Sequence, residues 1–380
     1  MLFTISKEHL LKLFKLALFV IVDKKAVNNI VGSHVLLSVD QKKITLIATD
    51  LDVELIIEEG LSSVESPGAI VVPFRKISEI CRAMTANIAL KIATSDELEQ
   101  LKLTIQSQQG FFSINYLLPE VFPVLTEKEF ASNFLIKASF LQEIISKVAF
   151  AMGDDESRHF LNGLLLHFTN DSIASVAADG HRLMIWEVKL LKNEELIKNL
   201  QDNLKILIPR KSVFDILKII ADINGNEFIN LSVGKFHFRI NIDQLTYTSK
   251  LLNVEFPPYK RLIPINTINE LTVNREQLKS CCLRAAALLG DKSQGIKLHF
   301  KADQLIITGN NEQGDVVEDS IVAHLTGKEL AIFFNLKYLL DFLSNSHVDN
   351  IIFKFENATT GVLLQDNQLH SSYILMPMQI

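Results

Sequence analysis

Hydrophobic and polar positions along this chain follow one order that recurs three times. An apolar run at Ile70–Val72 ends at Pro73, and a segment with one apolar and one basic face then continues to Met84. The same order returns from Ile206 and, more loosely, from Leu330. A strand that stops at a proline and gives way to an amphipathic helix explains this order. Since the copies start roughly a third of the 380-residue chain apart, the sequence predicts a threefold internal repeat.

Each third also opens with a second strand–helix unit. These units begin at Phe3, Phe134 and Leu271. Their apolar stripes are Leu10, Leu13, Phe14 and Ala17; Leu141, Ile144, Ile145 and Val148; and Leu278, Cys281, Cys282 and Ala285. Such spacing is typical of a helix that buries one face. The pattern therefore predicts two strand–helix units in each repeat.

Short runs with strand-like alternation lie between the predicted helices. Ile44–Ala48 and Ile351–Phe355 are two of them, and polar turn clusters such as 224–226 separate the runs. We expect an α+β fold of three repeated domains, each with about eight strands and two helices laid on one face of antiparallel sheet. The expected domains are residues 1–127, 128–253 and 254–380.

Composition narrows the class of protein. With 48% hydrophobic and 22% charged residues, the chain has the composition of a globular protein. Its three cysteines form neither a disulfide framework nor a spaced metal quartet, which favours a reducing, cytoplasmic location. Adjacent Cys281 and Cys282 are expected to pack in the core. No apolar run approaches the length of a membrane span, so we expect no membrane partner.

Charge is distributed unevenly between the predicted elements. The formal net charge is −6, yet the predicted helices together carry more lysine and arginine than aspartate and glutamate. For a single helix, a solvated basic face is the simpler explanation. Across all the helices, the segregation favours a basic surface that faces the phosphates of a nucleic acid and binds its backbone without reading its sequence, while the acidic exterior repels nucleic acid.

Motifs of catalysis are missing from the sequence. We find no phosphate-binding loop, nucleophile elbow, dinucleotide fingerprint or zinc-binding helix. Asp179-Gly180-His181-Arg182 is the most enzyme-like cluster, and it is more typical of a turn between strands than of a metal or general-base site. We expect no catalytic residue, metal or cofactor. The competing hypothesis is an enzyme with Asp179 and His181 at a hydrolytic or metal centre.

Several segments, taken in their order along the chain, resemble one family. They are Phe160–Gly163, Ala178–Leu183, Leu207–Lys211, Phe256–Arg261 and Tyr373–Met378. Together with the tripled strand–helix units, they are similar to the bacterial DNA polymerase III beta subunit over the whole chain. The resemblance implies a head-to-tail homodimeric ring, with helices lining the inner face around duplex DNA and antiparallel sheets outside. It also implies a pocket that binds short peptide motifs of other proteins.

The resemblance assigns site residues by position. The peptide-binding set is Leu161, Gly180, His181, Arg182, Leu183, Pro257, Arg261, Leu262, Asn335, Tyr338, Ile374, Leu375, Met376, Pro377 and Met378. Apolar members would hold a partner's anchors, and arginine and histidine would orient its polar groups. The DNA-facing set is Lys12, Lys15, Lys24, Lys25, Arg75, Arg82, Arg210, Lys211, Lys218, Arg275 and Lys279. The dimer-interface set is Phe112, Ile114, Leu288 and Leu289.

The implied partners are double-stranded DNA, a second copy of the chain, the DNA polymerase III alpha subunit, the clamp loader and other proteins that carry clamp-binding motifs. The implied function is that of a non-catalytic processivity factor in DNA replication. A monomeric adaptor built from the same domains remains the alternative, because ring closure depends on how well the edge strands fit.

Overall fold

The computed structural model describes most of the chain. The described residues are 1–21, 30–61, 63–84, 89–95, 101–106, 110–125, 129–154, 157–169, 171–190, 197–198, 200, 203–265, 267–290, 295–366 and 371–379. Every structural statement below concerns these ranges.

Six α-helices lie within the described ranges, and each directly follows the strand of one predicted strand–helix unit. The predicted units are therefore confirmed. Ser6, Asn274 and Asn335 cap three of the helices by accepting a backbone N–H in the first turn. Pro73 and Pro209 stand directly before two others, where a missing N–H costs no strand or helix bond. The helices are α1 (Lys7–Ala17), α2 (Phe74–Ala83), α3 (Ala138–Ala149), α4 (Arg210–Ala221), α5 (Arg275–Leu289) and α6 (Leu336–Asn345).

The described strands all pair in antiparallel fashion. They are β1 (Leu2–Ser6), β2 (His34–Val39), β3 (Lys43–Thr49), β4 (Val53–Gly60), β5 (Ser63–Ser66), β6 (Gly68–Pro73), β7 (Ala89–Ser95), β8 (Lys102–Gln106), β9 (Phe111–Asn115), β10 (Ser132–Lys137), β11 (Gly163–Phe168), β12 (Ser172–Ala178), β13 (Arg182–Lys189), β14 (Ile197–Lys198), β15 (Leu204–Pro209), β16 (Phe228–Val233), β17 (His237–Ile242), β18 (Leu245–Lys250), β19 (Asn269–Asn274), β20 (Gly295–Phe300), β21 (Gln304–Asn310), β22 (Val316–Thr326), β23 (Leu330–Asn335), β24 (Asn350–Phe355), β25 (Val362–Asp366) and β26 (Ser371–Leu375). The predicted α+β class is therefore confirmed.

The chain forms two compact units. The first comprises residues 1–137, 197–200 and 227–251. It contains a sheet of order β5-β1-β7-β8-β9 and a nine-stranded sheet of order β14-β10-β16-β17-β18-β4-β3-β2-β6. Helix α1 packs on β1, β3 and β4, and α2 packs on β2 and β6. Strand β18, from the middle third, pairs with β4, from the first third, so this sheet crosses a repeat boundary.

The second unit comprises residues 138–196, 201–226 and 252–380. It contains one twelve-stranded sheet of order β15-β11-β12-β13-β26-β25-β24-β19-β22-β21-β20-β23. Helices α3 and α4 pack together over β11, and α5 and α6 pack together over the third repeat. Here β13 pairs with β26, so the last strand of the chain lies beside a strand of the middle third.

The predicted apolar stripes are buried in both units. Leu10, Leu13, Leu278 and Cys282 are each fully covered, as one-faced helices require. Burial raises the pKa of Cys81 to about 12 and that of Cys281 to about 11. Such thiols stay protonated and unreactive at neutral pH. The prediction that Cys281 and Cys282 pack in the core is confirmed.

Within the described ranges, none of the helices combines the length and the apolarity that crossing a lipid bilayer requires.

Candidate functional site

A cluster of buried apolar side chains lies in the second unit beneath the predicted peptide-binding residues. It draws on β11, β12, β13, β15, β25 and β26, whose side chains meet on one face of the twelve-stranded sheet. The cluster consists of Leu161, Leu165, Ala174, Val176, Ala178, Leu183, Ile185, Leu207, Tyr259, Leu363 and Ile374, and Phe160, Leu252, Phe256 and Ile263 pack against it half-buried. Three predicted residues, Leu161, Leu183 and Ile374, belong to this cluster, which we call the floor.

The C-terminal tail runs along the edge of this floor. Beyond β26, the Met376 N–H donates to the carbonyl oxygen of His181 at 2.9 Å, and the Met378 N–H donates to that of Phe333 at 2.9 Å. Met376 is 43% exposed and Met378 is 40% exposed. Leu375, in contrast, is fully buried. The tail therefore presents two flexible thioether side chains, which suit varied apolar ligands.

A short 3₁₀ turn, Tyr259–Leu262, borders the floor on another side. The ring of Tyr259 is buried in the cluster, and its hydroxyl lies 3.1 Å from Nδ1 of His167. Burial, with a smaller contribution from Glu187, raises the pKa of Tyr259 to about 12. This anchoring leaves Arg261 and Leu262 exposed at the rim, next to the half-buried Pro257.

The loop between β12 and β13 is a hydrogen-bonded turn. Gly180 has a φ of +94°, a conformation that glycine adopts without strain. One carboxylate oxygen of Asp179 accepts the N–H groups of His181 at 2.9 Å and Arg182 at 3.0 Å, and the other accepts Nε of Arg182 at 2.9 Å. Both oxygens therefore have structural partners. This geometry favours the predicted turn over a general base.

Arg182 makes its side-chain hydrogen bonds within the chain. It is 8% exposed, and its guanidinium donates to Asp179, to Asp341 and to the carbonyl oxygen of Phe150. Burial lowers the pKa of Arg182, but Tyr373, Asp341 and Asp179 outweigh it and the net shift is upward. The guanidinium is thus charged and bound within the chain, which argues against the prediction that it orients a partner's polar groups.

Tyr338 stands beside Arg182 at the start of α6. The guanidinium lies 4.3 Å from the centroid of its ring, and the ring of His181 stacks on it at 6.4 Å with an interplanar angle of 24°. Asn335 caps α6 by accepting the Tyr338 N–H at 3.2 Å. Burial chiefly raises the pKa of the Tyr338 hydroxyl, so it remains neutral at physiological pH. The predicted His181, Asn335 and Tyr338 are therefore brought together.

The predicted DNA-facing side chains separate into two groups. Lys12, Lys15, Arg75, Arg82, Lys211 and Lys218 are exposed on their helices, and Lys279 is half-buried. Arg210 instead donates to the carbonyl oxygens of Met152 at 2.8 Å and Gly153 at 3.4 Å. Arg275 donates to Leu343 O at 3.0 Å and Val348 O at 2.8 Å, at the C-terminal end of α6. These two guanidinium groups stabilise backbone carbonyls, which argues against a role in phosphate binding. Lys24 and Lys25 lie outside the described residues.

The predicted dimer-interface residues also differ in exposure. Phe112 and Ile114 lie on β9, the last strand of its sheet, and Phe112 is exposed. On α5, Leu288 is 40% exposed but Leu289 is only 4% exposed. Leu289 therefore belongs to the core of its own unit, and the prediction that it faces a partner is not supported. Among the described strands β9 has a neighbour on one side only, so its outer edge and the exposed Leu288 remain suited to pairing.

Sequence reasoning overlooked two residues of this region, Asp341 and Tyr259. Asp341 contributes a carboxylate to Arg182 across 159 sequence positions, and no local pattern indicates such a contact. Tyr259 lies inside the Phe256–Arg261 motif, so its aromatic character between prolines and a basic pair was an available signal. Within the described ranges, histidine, cysteine, aspartate and glutamate form no group of three or more that is placed to hold a metal ion.

Comparison with known proteins gives one consistent result over the whole chain. Family models of the DNA polymerase III beta subunit match residues 1–126 (N-terminal domain), 135–258 (central domain) and 260–379 (C-terminal domain). The beta sliding clamp of Pseudomonas aeruginosa is 31% identical over 380 residues, and that of Escherichia coli K12 is 28% identical over 379 residues, with both chains covered completely. The crystal structure of the Pseudomonas aeruginosa subunit aligns with a TM-score of 0.90 at 30% identity, and the Caulobacter crescentus subunit with 0.91 at 26% identity, again over the full length of both chains. The chain therefore belongs to the DNA polymerase III beta subunit family.

Proposed function

We propose that this protein is a DNA sliding clamp, a non-catalytic processivity factor of DNA replication. Two copies would close a ring that encircles duplex DNA and tethers the replicative polymerase and other replication and repair proteins. The observation that carries the proposal is the full-length match of all three repeats to beta sliding clamps. We place the three domains at residues 1–127, 128–253 and 254–380, and we place the protein in the cytoplasm.

The inner surface of the ring would carry the exposed basic side chains of the helices. Lys12, Lys15, Arg75, Arg82, Lys211 and Lys218 support this assignment by their exposure, and they offer no base-reading cluster of arginine, asparagine and glutamine. Attraction to phosphates through such long, mobile side chains is weak and independent of sequence. A topological link needs no tight contact, so weak attraction allows the ring to slide.

The floor, the tail and the Tyr259–Leu262 turn would form the peptide pocket. An apolar floor bordered by exposed Leu262, Met376 and Met378 suits aliphatic and aromatic anchors, and exposed Arg261 and His181 suit their polar neighbours. A Pseudomonas aeruginosa sliding clamp has been crystallised bound to griselimycin, so a clamp at 30% identity accepts a ligand. The polymerase alpha subunit and the clamp loader are the partners we propose.

Replacing Leu288 by aspartate tests the ring. Because a buried unpaired carboxylate is unfavourable at an apolar interface, the variant should be a monomer of 42.8 kDa by light scattering, whereas the unaltered protein should have twice that mass. The unaltered protein should remain on nicked circular DNA and be lost when the circle is linearised, and the variant should not be retained at all.

Leu283 provides the matched control, since it is an exposed leucine on another face of α5. Leu283→Asp should stay dimeric. A dimeric Leu288→Asp variant at low protein concentration would contradict the interface assignment. A monomeric unaltered protein would favour the adaptor without a closed ring.

Reversing three exposed charges tests the DNA surface. Lys15→Glu, Arg82→Glu and Lys218→Glu together should weaken retention to a similar degree on any duplex sequence. The slope of log affinity against log salt concentration should flatten by roughly one unit for each lost phosphate contact. Lys205→Glu reverses one exposed charge on strand β15, outside the helices, and should have little effect compared with each of the three reversals made singly. A strong preference among duplex sequences would argue against backbone contact.

A further inference from the structure

Asp341 lies on α6, outside the predicted peptide-binding set. Its Oδ2 accepts Nη1 of Arg182 at 2.6 Å. The Asp341 side chain is 31% exposed, whereas that of Arg182 is 7% exposed. Its backbone oxygen accepts the amide of Asn345 at 2.8 Å, one turn further along α6. The carboxylate is therefore held on a regular helix and reaches inward to a buried cation.

Three contacts fix the plane of the Arg182 guanidinium. Besides Asp341, Nε donates to Asp179 at 2.9 Å and Nη2 donates to the carbonyl oxygen of Phe150 at 2.7 Å. A planar fork that is bound on three sides cannot turn without losing a charge-assisted hydrogen bond. Asp341 binds Nη1 of this guanidinium. Of the two carboxylates that bind Arg182, Asp341 is the one outside the Asp179–Arg182 turn.

Tyr338 rests on the face of this fixed guanidinium. Its N–H donates to Asn335, and its carbonyl oxygen accepts the Tyr373 hydroxyl at 2.9 Å, so its backbone is anchored. The ring of Tyr338 then lies against both the guanidinium of Arg182 and the ring of His181. The carbonyl oxygen of His181 in turn accepts the N–H of Met376 in the tail. A continuous row of contacts thus leads from Asp341 to the pocket rim.

We infer that Asp341 is a positioning residue for peptide binding. By holding the guanidinium of Arg182, it fixes the rings of Tyr338 and His181 in the orientation that receives a peptide beside the tail. The inference rests on the proposed peptide-binding function of this pocket. It also accounts for an arginine at the pocket whose nitrogens are all bound within the chain.

Asp341→Asn tests the inference, because asparagine keeps the shape and loses the charge. The affinity for a labelled peptide with a glutamine and a Leu-Phe pair should fall about tenfold by fluorescence anisotropy. Asp341→Glu keeps the charge and should restore most of that loss. Asp349→Asn removes an exposed carboxylate just beyond the end of α6 and should leave affinity unchanged.

A double-mutant cycle separates positioning from general stability. Tyr338→Leu alone should weaken binding, and adding Asp341→Asn to it should cause no further loss, because the ring that Asp341 positions is gone. If the losses of binding free energy in the two single variants add up in the double variant, the inference is overturned. An Asp341→Asn variant with unchanged affinity would also overturn it.

A fluorine spectrum reports the ring itself and remains informative if Asp341→Asn lowers thermal stability. The chain has five tyrosines, so 3-fluorotyrosine gives five signals, and Tyr338→Phe identifies one of them. Asp341→Asn should shift the Tyr338 signal and leave those of Tyr116 and Tyr247 in place. An unmoved Tyr338 signal would overturn the inference.

Deleting residues 376–380 in the same titration tests the pocket separately. If the unaltered protein and the deletion bind the peptide equally, the proposed pocket is wrong. If the deletion loses binding while Asp341→Asn does not, the pocket stands and only the positioning role fails.

Discussion

Removal of residues 376–380 should abolish peptide binding and leave the protein dimeric. The deletion takes away the exposed side chains of Met376 and Met378, together with the backbone bonds that hold the tail against His181 and Phe333. Because anchor pockets carry most of the energy of such an interface, affinity should fall by about a hundredfold or more. A fluorescence-anisotropy titration of the labelled peptide measures the loss.

Two variants show which part of the tail is responsible. The double variant Met376→Ala, Met378→Ala keeps the backbone hydrogen bonds of the tail. Its affinity for the peptide should fall about tenfold, because the thioether side chains would contact the peptide directly. His181→Ala should be milder than the deletion, since a polar rim group sets orientation more than affinity. Light scattering should give the same mass for all of them. Undiminished binding to the deletion would remove the tail from the site.

Arg182→Ala should be the most destabilising single change in this region. It removes the guanidinium donors of Asp341 and of the carbonyl oxygen of Phe150, and it leaves Asp179 with its two backbone N–H bonds. Breaking a buried ion pair from one side costs about 3–5 kcal/mol. Denaturant unfolding of the alanine variant and the unaltered protein measures the difference.

Arg261→Ala is the matched control, because Arg261 is an exposed arginine at the same pocket. Its unfolding free energy should change by no more than about 0.5 kcal/mol. A loss below about 1 kcal/mol for Arg182→Ala would contradict the structural role assigned to that residue.

The order of elements was predictable because local chemistry determines it. Pro73 and Pro209 each end a strand, because proline has no N–H to donate to a further ladder bond. Ser6, Asn274 and Asn335 are residue types that favour the N-cap position of a helix. The stripe Leu278, Cys281, Cys282 and Ala285 continues at helical spacing to Leu289, so the burial of Leu289 followed from a pattern already recognised. The prediction of Leu289 at the dimer interface was inconsistent with this helical spacing.

Which charged side chains are bound within the chain was not predictable in the same way. A count of lysine and arginine along a helix does not show which of them bind carbonyl oxygens elsewhere, as Arg210 and Arg275 do. The burial of Arg182 depends on Asp341 and Phe150, which belong to other elements. Long-range partners of this kind come from the tertiary packing, and sequence spacing does not encode them.

The pairing of β13 with β26 has a consequence for how the protein unfolds. Residues Arg182–Trp186 of the middle repeat and Ser371–Leu375 of the last one share a ladder of backbone hydrogen bonds. Separating these repeats would expose two unpaired strand edges and the apolar floor at once. The second unit should therefore open as one cooperative block, with slow amide exchange in both strands lost together. The repeats are copies in sequence, but they are not independent folding units.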